Sequence, residues 1–176
     1  MITDFTTLND AMAATIKQHV EPVQTADAMS ESIDDSMITP AVFIDLAEMD
    51  KGKKLSGGKL ALDCTFIAYC VLSAKTERAL LEVRNFAAAV AGVIEEHGRW
   101  GLADAVSRPT IVGLSPGVFE RSGQGFECWT VEFTQTVHLG PAWRPDLTDP
   151  DHRDYVDGAW LAGCHPDNHY LGDVPK

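Results

Sequence analysis

Between Lys59 and Ser73 every second residue is apolar: Leu60, Leu62, Cys64, Phe66, Ala68, Cys70 and Leu72. A period of two places them all on one face of an extended strand, and a run of this length requires a sheet with partners on its flanks. The opposite face begins polar, with Ala61, Asp63 and Thr65, and ends apolar, with Ile67, Tyr69 and Val71. The apolar half must meet something else, either a helix of the same chain or another subunit. A second alternation covers Phe126 to Leu139, with Trp129, Val131, Phe133, Gln135, Val137 and Leu139 on the packing face. Cys128, Thr130, Glu132, Thr134, Thr136 and His138 look out on the other.

Between these strands, Thr76 to His97 has helical spacing. Leu80, Val83, Ala87, Val90 and Ile94 recur every three or four residues, and Gly98 supplies the left-handed residue that stops a helix. A first amphipathic helix is predicted over Thr7 to Val20, with Asp4 or Thr6 as its cap, Leu8, Met12 and Ile16 as its stripe, and Pro22 ending it. Ala26 to Thr39 is acidic and serine-rich and reads as a loop. Ala41 to Leu46 is a short strand buried on both faces, Lys51 to Gly58 is a hairpin tip, Thr110 to Leu114 is a short strand, and Ser115 to Gly125 is a turn. The order predicts an α+β fold: a mostly antiparallel sheet packed against two main helices over residues 1–140, followed by an extended irregular arm over 141–176.

The arm is unusual in composition. It carries five of the nine prolines, two of the four tryptophans, two of the three tyrosines and three of the six histidines. Prolines interrupt any ladder, yet Trp143, Leu147, Tyr155, Trp160, Leu161, Tyr170 and Leu171 are spaced along it, whereas chains that stay unfolded are poor in aromatics. Such a segment expects a surface to lie on, and Trp143, Tyr155, Trp160 and Tyr170 are its candidate anchors.

Charge narrows the partners. The formal net charge is -12 over 176 residues, and the arm accounts for -4 of it, so both parts are acidic. Gripping phosphate draws on clustered Lys and Arg, and the nearest such cluster, Lys51, Lys53, Lys54 and Lys59, is spaced by glycines and reads as a solvated loop. No stretch approaches the length of a membrane span, and the N-terminus lacks a basic region followed by an apolar run.

Four groups of residues invite a chemical reading. Cys64, Cys70, Cys128 and Cys164 show no metal-type spacing, and on a strand Cys64 and Cys70 lie about 20 Å apart, too far for a disulfide. They read as buried thiols, except Cys164 in the arm. His165 and His169 are four apart, but zinc needs three or four converging ligands, and the third would be Cys164, His152 or an aspartate elsewhere. Asp146, Asp149, Asp151, Asp154 and Asp157 lack the glycine and terminal glutamate of an EF-hand loop. Ser56-Gly57-Gly58-Lys59 and Ser122-Gly123-Gln124-Gly125 lack the spacing of a phosphate loop and read as turns. Gln135, on an otherwise apolar face, is a satisfied buried amide or an interface contact. These readings leave no catalytic residue, cofactor site or metal site assigned.

The order of segments resembles a known family. The leading helix, Pro40-Ala41-Val42-Phe43-Ile44, the glycine-lysine tip, Gly58-Lys59-Leu60-Ala61-Leu62-Asp63, the helix from Thr76, and Trp129-Thr130-Val131-Glu132-Phe133-Thr134-Gln135 are similar to tail terminator or tail completion proteins of Mu-like phage tail modules. The resemblance spans residues 5–140; the arm has no counterpart in it. It implies a structural virion protein rather than an enzyme, a homo-oligomeric ring, commonly a hexamer. That ring would sit on the last ring of tail tube protein, stop its polymerisation and offer a joining surface to the head connector, with the sheath as a further neighbour. It implies residence in the virion tail or neck, and in the host cytoplasm during assembly. Thr130, Glu132, Thr134 and Thr136 would then line a lumen or a subunit interface, and an acidic lumen would let DNA slide through unbound. Two alternatives stand beside it: a head-completion or neck protein of the same virion, and a metal-dependent hydrolase using His152, His165 and His169.

Overall fold

The computed structural model describes residues 2–29, 37–53, 60–102, 105–119 and 125–140, and the backbone of 155–156 and 159–160. The chain divides into two units, Met1–Ala142 and Trp143–Lys176.

The first helix, α1 (Phe5–His19), starts where Asp4 accepts a hydrogen bond from the Thr7 amide at 2.8 Å. The same carboxylate accepts from the hydroxyls of Thr7 and Thr3, both at 2.9 Å. The helix stops at Val20, whose backbone is extended, two residues before Pro22. Leu8, Met12, Ala13 and Ile16 form its buried stripe. The hydrogen bonds from the Thr7 amide, and from the Thr3 and Thr7 hydroxyls, hold the Asp4 carboxyl below the usual carboxylate range. A carboxyl depressed in the folded state stabilises above its unfolded pKa, and that contribution is lost as pH falls through its folded value. Asp4→Ala should therefore lower the melting temperature at neutral pH, and the gap from the parent should close in acid. Thermal unfolding followed by circular dichroism at both pH values checks this.

Five strands form one sheet in the order β1-β2-β3-β5-β4. They are β1 (Thr25–Ala28), β2 (Ala41–Lys51), β3 (Leu60–Ser73), β4 (Thr110–Pro116) and β5 (Phe126–Leu139). β1 runs parallel to β2, and every other pairing is antiparallel. The two long alternating strands lie side by side in full register, from Leu60↔Leu139 to Ser73↔Phe126. The fold is thus α+β, as the alternation predicts. Differences from expectation are local. Thr25–Ala28, expected as loop, is an edge strand, and β2 runs on to Lys51 through a bulge between Leu46 and Glu48.

The second helix, α2 (Ala79–His97), begins three residues later than expected, and Leu80 is 61% exposed instead of packed. Its stripe is Ala79, Val83, Phe86, Ala87, Val90 and Ile94. Gly98 ends the helix without being left-handed, since its φ is -67°. The left-handed residues after the helix are Trp100 and Gly101, and Arg78 is left-handed at its start. Glycine at 98 answers a different need, because a Cβ there would collide with the Pro109 ring and the Ile94 carbonyl.

Both helices cover the same sheet face. Leu8, Met12 and Ile16 from α1 and Phe86, Val90 and Ile94 from α2 share one core with Val42, Ile44, Phe66, Ala68, Val131, Phe133 and Val137. Burying each large side chain contributes roughly 1.5–3 kcal/mol. The Arg84 guanidinium lies 5.4 Å from the Trp129 ring centre, closing the α2 edge of that core.

In the second unit, β6 (Tyr155–Val156) and β7 (Ala159–Trp160) form a two-stranded antiparallel ladder pairing Tyr155 with Trp160 and Val156 with Ala159. The arm is therefore not irregular throughout. Asp157 and Gly158 between the strands are the dipeptide that favours a two-residue hairpin.

Candidate functional site

With the helices on one face, the other face of the sheet is where polar side chains gather. Pairing fixes their neighbours: Tyr69↔Thr130, Ile67↔Glu132, Thr65↔Thr134 and Asp63↔Thr136 across β3 and β5. The Thr136 hydroxyl donates to Asp63 at 2.6 Å, and the Thr130 hydroxyl donates to the Ser115 carbonyl at 3.1 Å. Thr134 is exposed, while Thr130 and Glu132 are half-buried. Asp50 stands opposite Asp63 in the β2–β3 ladder, and like charges directly opposite each other work against pairing. Asp45 and Glu48 extend the same acidic strip. The strand positions on this face include no Lys or Arg.

The apolar half of this face is covered by the chain itself. Ala41, Phe43, Val71 and Cys128 form a second buried cluster, against which Met29, Met37, Tyr69, Phe119 and Phe126 pack. The Phe119 ring stacks on Phe43 at 5.6 Å and meets Phe126 edge-on at 5.8 Å. Cys128, expected to look out, is buried here. Within the described chain the cover is not a helix; it comes from connecting segments around residues 29, 37 and 119.

The three described thiols are buried and held protonated. Burial, with a smaller contribution from the Asp63 charge, pushes Cys64 up to about 11, and burial alone pushes Cys128 up to about 11. Cys70 is raised further, again by burial first. Thiols held protonated at neutral pH are poor nucleophiles and poor metal ligands.

Gln135 is a satisfied buried amide, 3% exposed. Its Oε1 accepts from the Trp100 indole at 2.9 Å, and its Nε2 donates to the carbonyls of Gly98 and Ser107, both at 2.7 Å. It ties the end of α2 and the following connection to the sheet, so its role is structural.

A cavity of about 360 Å³ opens between the N-terminal half of α1, the end of β1 and the middle of β2. Its floor is apolar, with Leu8, Met12, Ile44 and Phe66, and its rim carries Asp10, Asp27 and Asp45. Sequence reading missed it. Asp45 inside an apolar strand was the available signal, but Asp10 and Asp27 join it only through the unexpected β1.

Among the described residues, no group of three or more His, Cys, Asp or Glu side chains is placed to hold a metal ion. Several candidates lie outside the described residues: Trp143, Tyr170, His152, His165, His169, Cys164, the aspartates at 146, 149, 151, 154 and 157, and the turns at 56–59 and 122–124. For Tyr155 and Trp160 only the backbone pairing is described. No described helix is long and apolar enough to cross a membrane. A scan against protein-family models found no match, and neither did a search of curated proteins.

Proposed function

We propose that this chain is a structural, non-enzymatic ring subunit of a phage tail, a terminator that caps the tail tube, stops its growth and presents a surface to the head connector. The observation that carries this reading is the open face of the sheet. Asp45, Asp50, Asp63 and Glu132 lie among Thr65, Thr130, Thr134 and Thr136, with no Lys or Arg at the strand positions of that face. A wall of this chemistry repels phosphate and lets DNA pass through a lumen without holding it. The resemblance of the segment order to that of tail terminators supports the same reading.

The β4 edge suits subunit contacts. Val112 is 57% exposed at the bulge between Ile111 and Gly113, Leu114 is exposed beside it, and Val118 just beyond is 76% exposed. Unpaired edges with exposed apolar residues associate, and a lysine on the edge blocks association. In this reading the ring closes through β4, and the arm's aromatics add contacts to a neighbour. Val112→Lys, at a position outside the ladder, should leave the fold intact by circular dichroism and shift the assembly to monomer in size exclusion with light scattering. An assembly unchanged by Val112→Lys paired with Val118→Lys would remove β4 from the interface.

A further inference from the structure

Beyond ring formation, we propose that the cavity under α1 and the edge of β2 beside it, which no described strand pairs, form one docking site for an extended segment of another protein, alternating apolar residues with Lys or Arg. Three observations converge on this occupant. First, the β1 ladder ends at Ala28↔Ile44, and the Met29 amide bonds to the Ile44 carbonyl, but β2 continues to Lys51. From Asp45 onward no described strand pairs with β2 on that side, and Ala47, Glu48, Met49 and Asp50 are exposed. An incoming strand following the line of β1 would meet backbone there that no described strand pairs.

Second, the cavity opens at the point where β1 stops, with Ile44 and Phe66 in its floor. An apolar side chain of the incoming segment would enter it while its backbone pairs with β2. A volume of about 360 Å³ suits a bulky aliphatic or aromatic anchor.

Third, the charge is one-sided. Asp10, Asp27 and Asp45 are among the residues around the cavity; Asp27 and Asp45 register with Phe43 and Ile67 and so lie on the other face of the strands, where the basic residues of an alternating segment would project, and none of the three meets a Lys, Arg or His among the described residues. Asp27 is engaged only by the neighbouring Ala28 amide, at 2.7 Å. Glu48 and Asp50 extend the negative edge as far as Lys51, where β2 ends. This chain's own segments are mismatched, since the stretch between β1 and β2 carries Glu31, Asp34 and Asp35 and the arm's net charge is -4. Complementarity therefore selects a basic partner other than a copy of this chain.

The test uses the full chain with two short synthetic peptides, one alternating Val and Lys and one alternating Val and Glu. Binding is read by fluorescence anisotropy, and the site by amide hydrogen exchange. The Val/Lys peptide should bind, weaken with added salt, and protect the amides of residues 46–51. Asp10→Lys, at an exposed helix position, should weaken it by about tenfold, and Asp27→Asn should weaken it less. The Val/Glu peptide should not bind. Equal binding of both peptides, protection elsewhere, or binding without protection of 46–51 would overturn the proposal, the last pointing to a small ligand in the cavity. Concentration-dependent protection of 46–51 without peptide would also overturn it, because a second copy would then hold that edge. Ring assembly is read separately by mass on β4 variants, so failure of one proposal is distinguishable from failure of the other.

Discussion

Phe133→Ala should destabilise the folded chain by about 4 kcal/mol, the largest effect expected of a single truncation here. Phe133 is 1% exposed on β5, which bonds to β3 on one side and β4 on the other. Its ring stacks on Phe66 at 5.3 Å and meets Trp100 at 6.2 Å, so truncation leaves a cavity where three aromatics meet. The neighbouring rings belong to a different strand and to the connection after α2, and neither can collapse inward without breaking ladder bonds or the Trp100 hydrogen bond. Urea unfolding should show a lower midpoint with an unchanged slope. Thr134→Ala, at the exposed neighbouring position, should shift stability by less than about 0.5 kcal/mol. A Phe133→Ala cost below about 1 kcal/mol would mean that the helix-facing core is not packed around this ring.

Gln135→Leu should cost about 3 kcal/mol, although leucine is apolar and close in size. The loss comes from what glutamine leaves behind: the Trp100 indole N–H and the Gly98 and Ser107 carbonyls lose their partner at a buried site. The effect should also be local. The Ser107 amide bonds to the Thr136 carbonyl and the His138 amide to the Ala105 carbonyl, so release of this connection should speed hydrogen exchange at both. Gln135→Glu should be worse at neutral pH, since a carboxylate would face two carbonyl oxygens. Wild-type exchange rates at Ser107 and His138 in the Leu variant would show that Gln135 does not fasten this segment.

How much could be read from sequence depended on period. β3 and β5 were legible to within a residue, because strict alternation over fourteen residues in each leaves no competing pattern. α2 was legible as a helix, but Leu80 has the spacing of a core residue and Ala79 does not look like one, so the stripe was placed one residue off at its start. β1 was invisible: four residues, Thr25–Ala28, have no room for a period and owe their conformation to β2 alongside. The same shortness hid the cavity, whose acidic rim is assembled from three elements. The cover over Val71 and Phe43 escaped for a related reason, since Met29, Met37 and Phe119 come from connections that carry no pattern. The Asp157-Gly158 dipeptide is a hairpin signal that the expectation of an irregular arm did not use. Thr130, Glu132 and Thr134 were placed on the outward face by alternation alone, and they lie there.

The central claim is that this face lines a ring, and the mass of the full chain in solution, measured by light scattering across a concentration series with and without tube protein, tests it most directly. The account predicts a closed assembly of several 19.1 kDa chains, near six, formed either alone or on mixing with the tube protein. A 19.1 kDa monomer at every concentration, unchanged by tube protein, would contradict it.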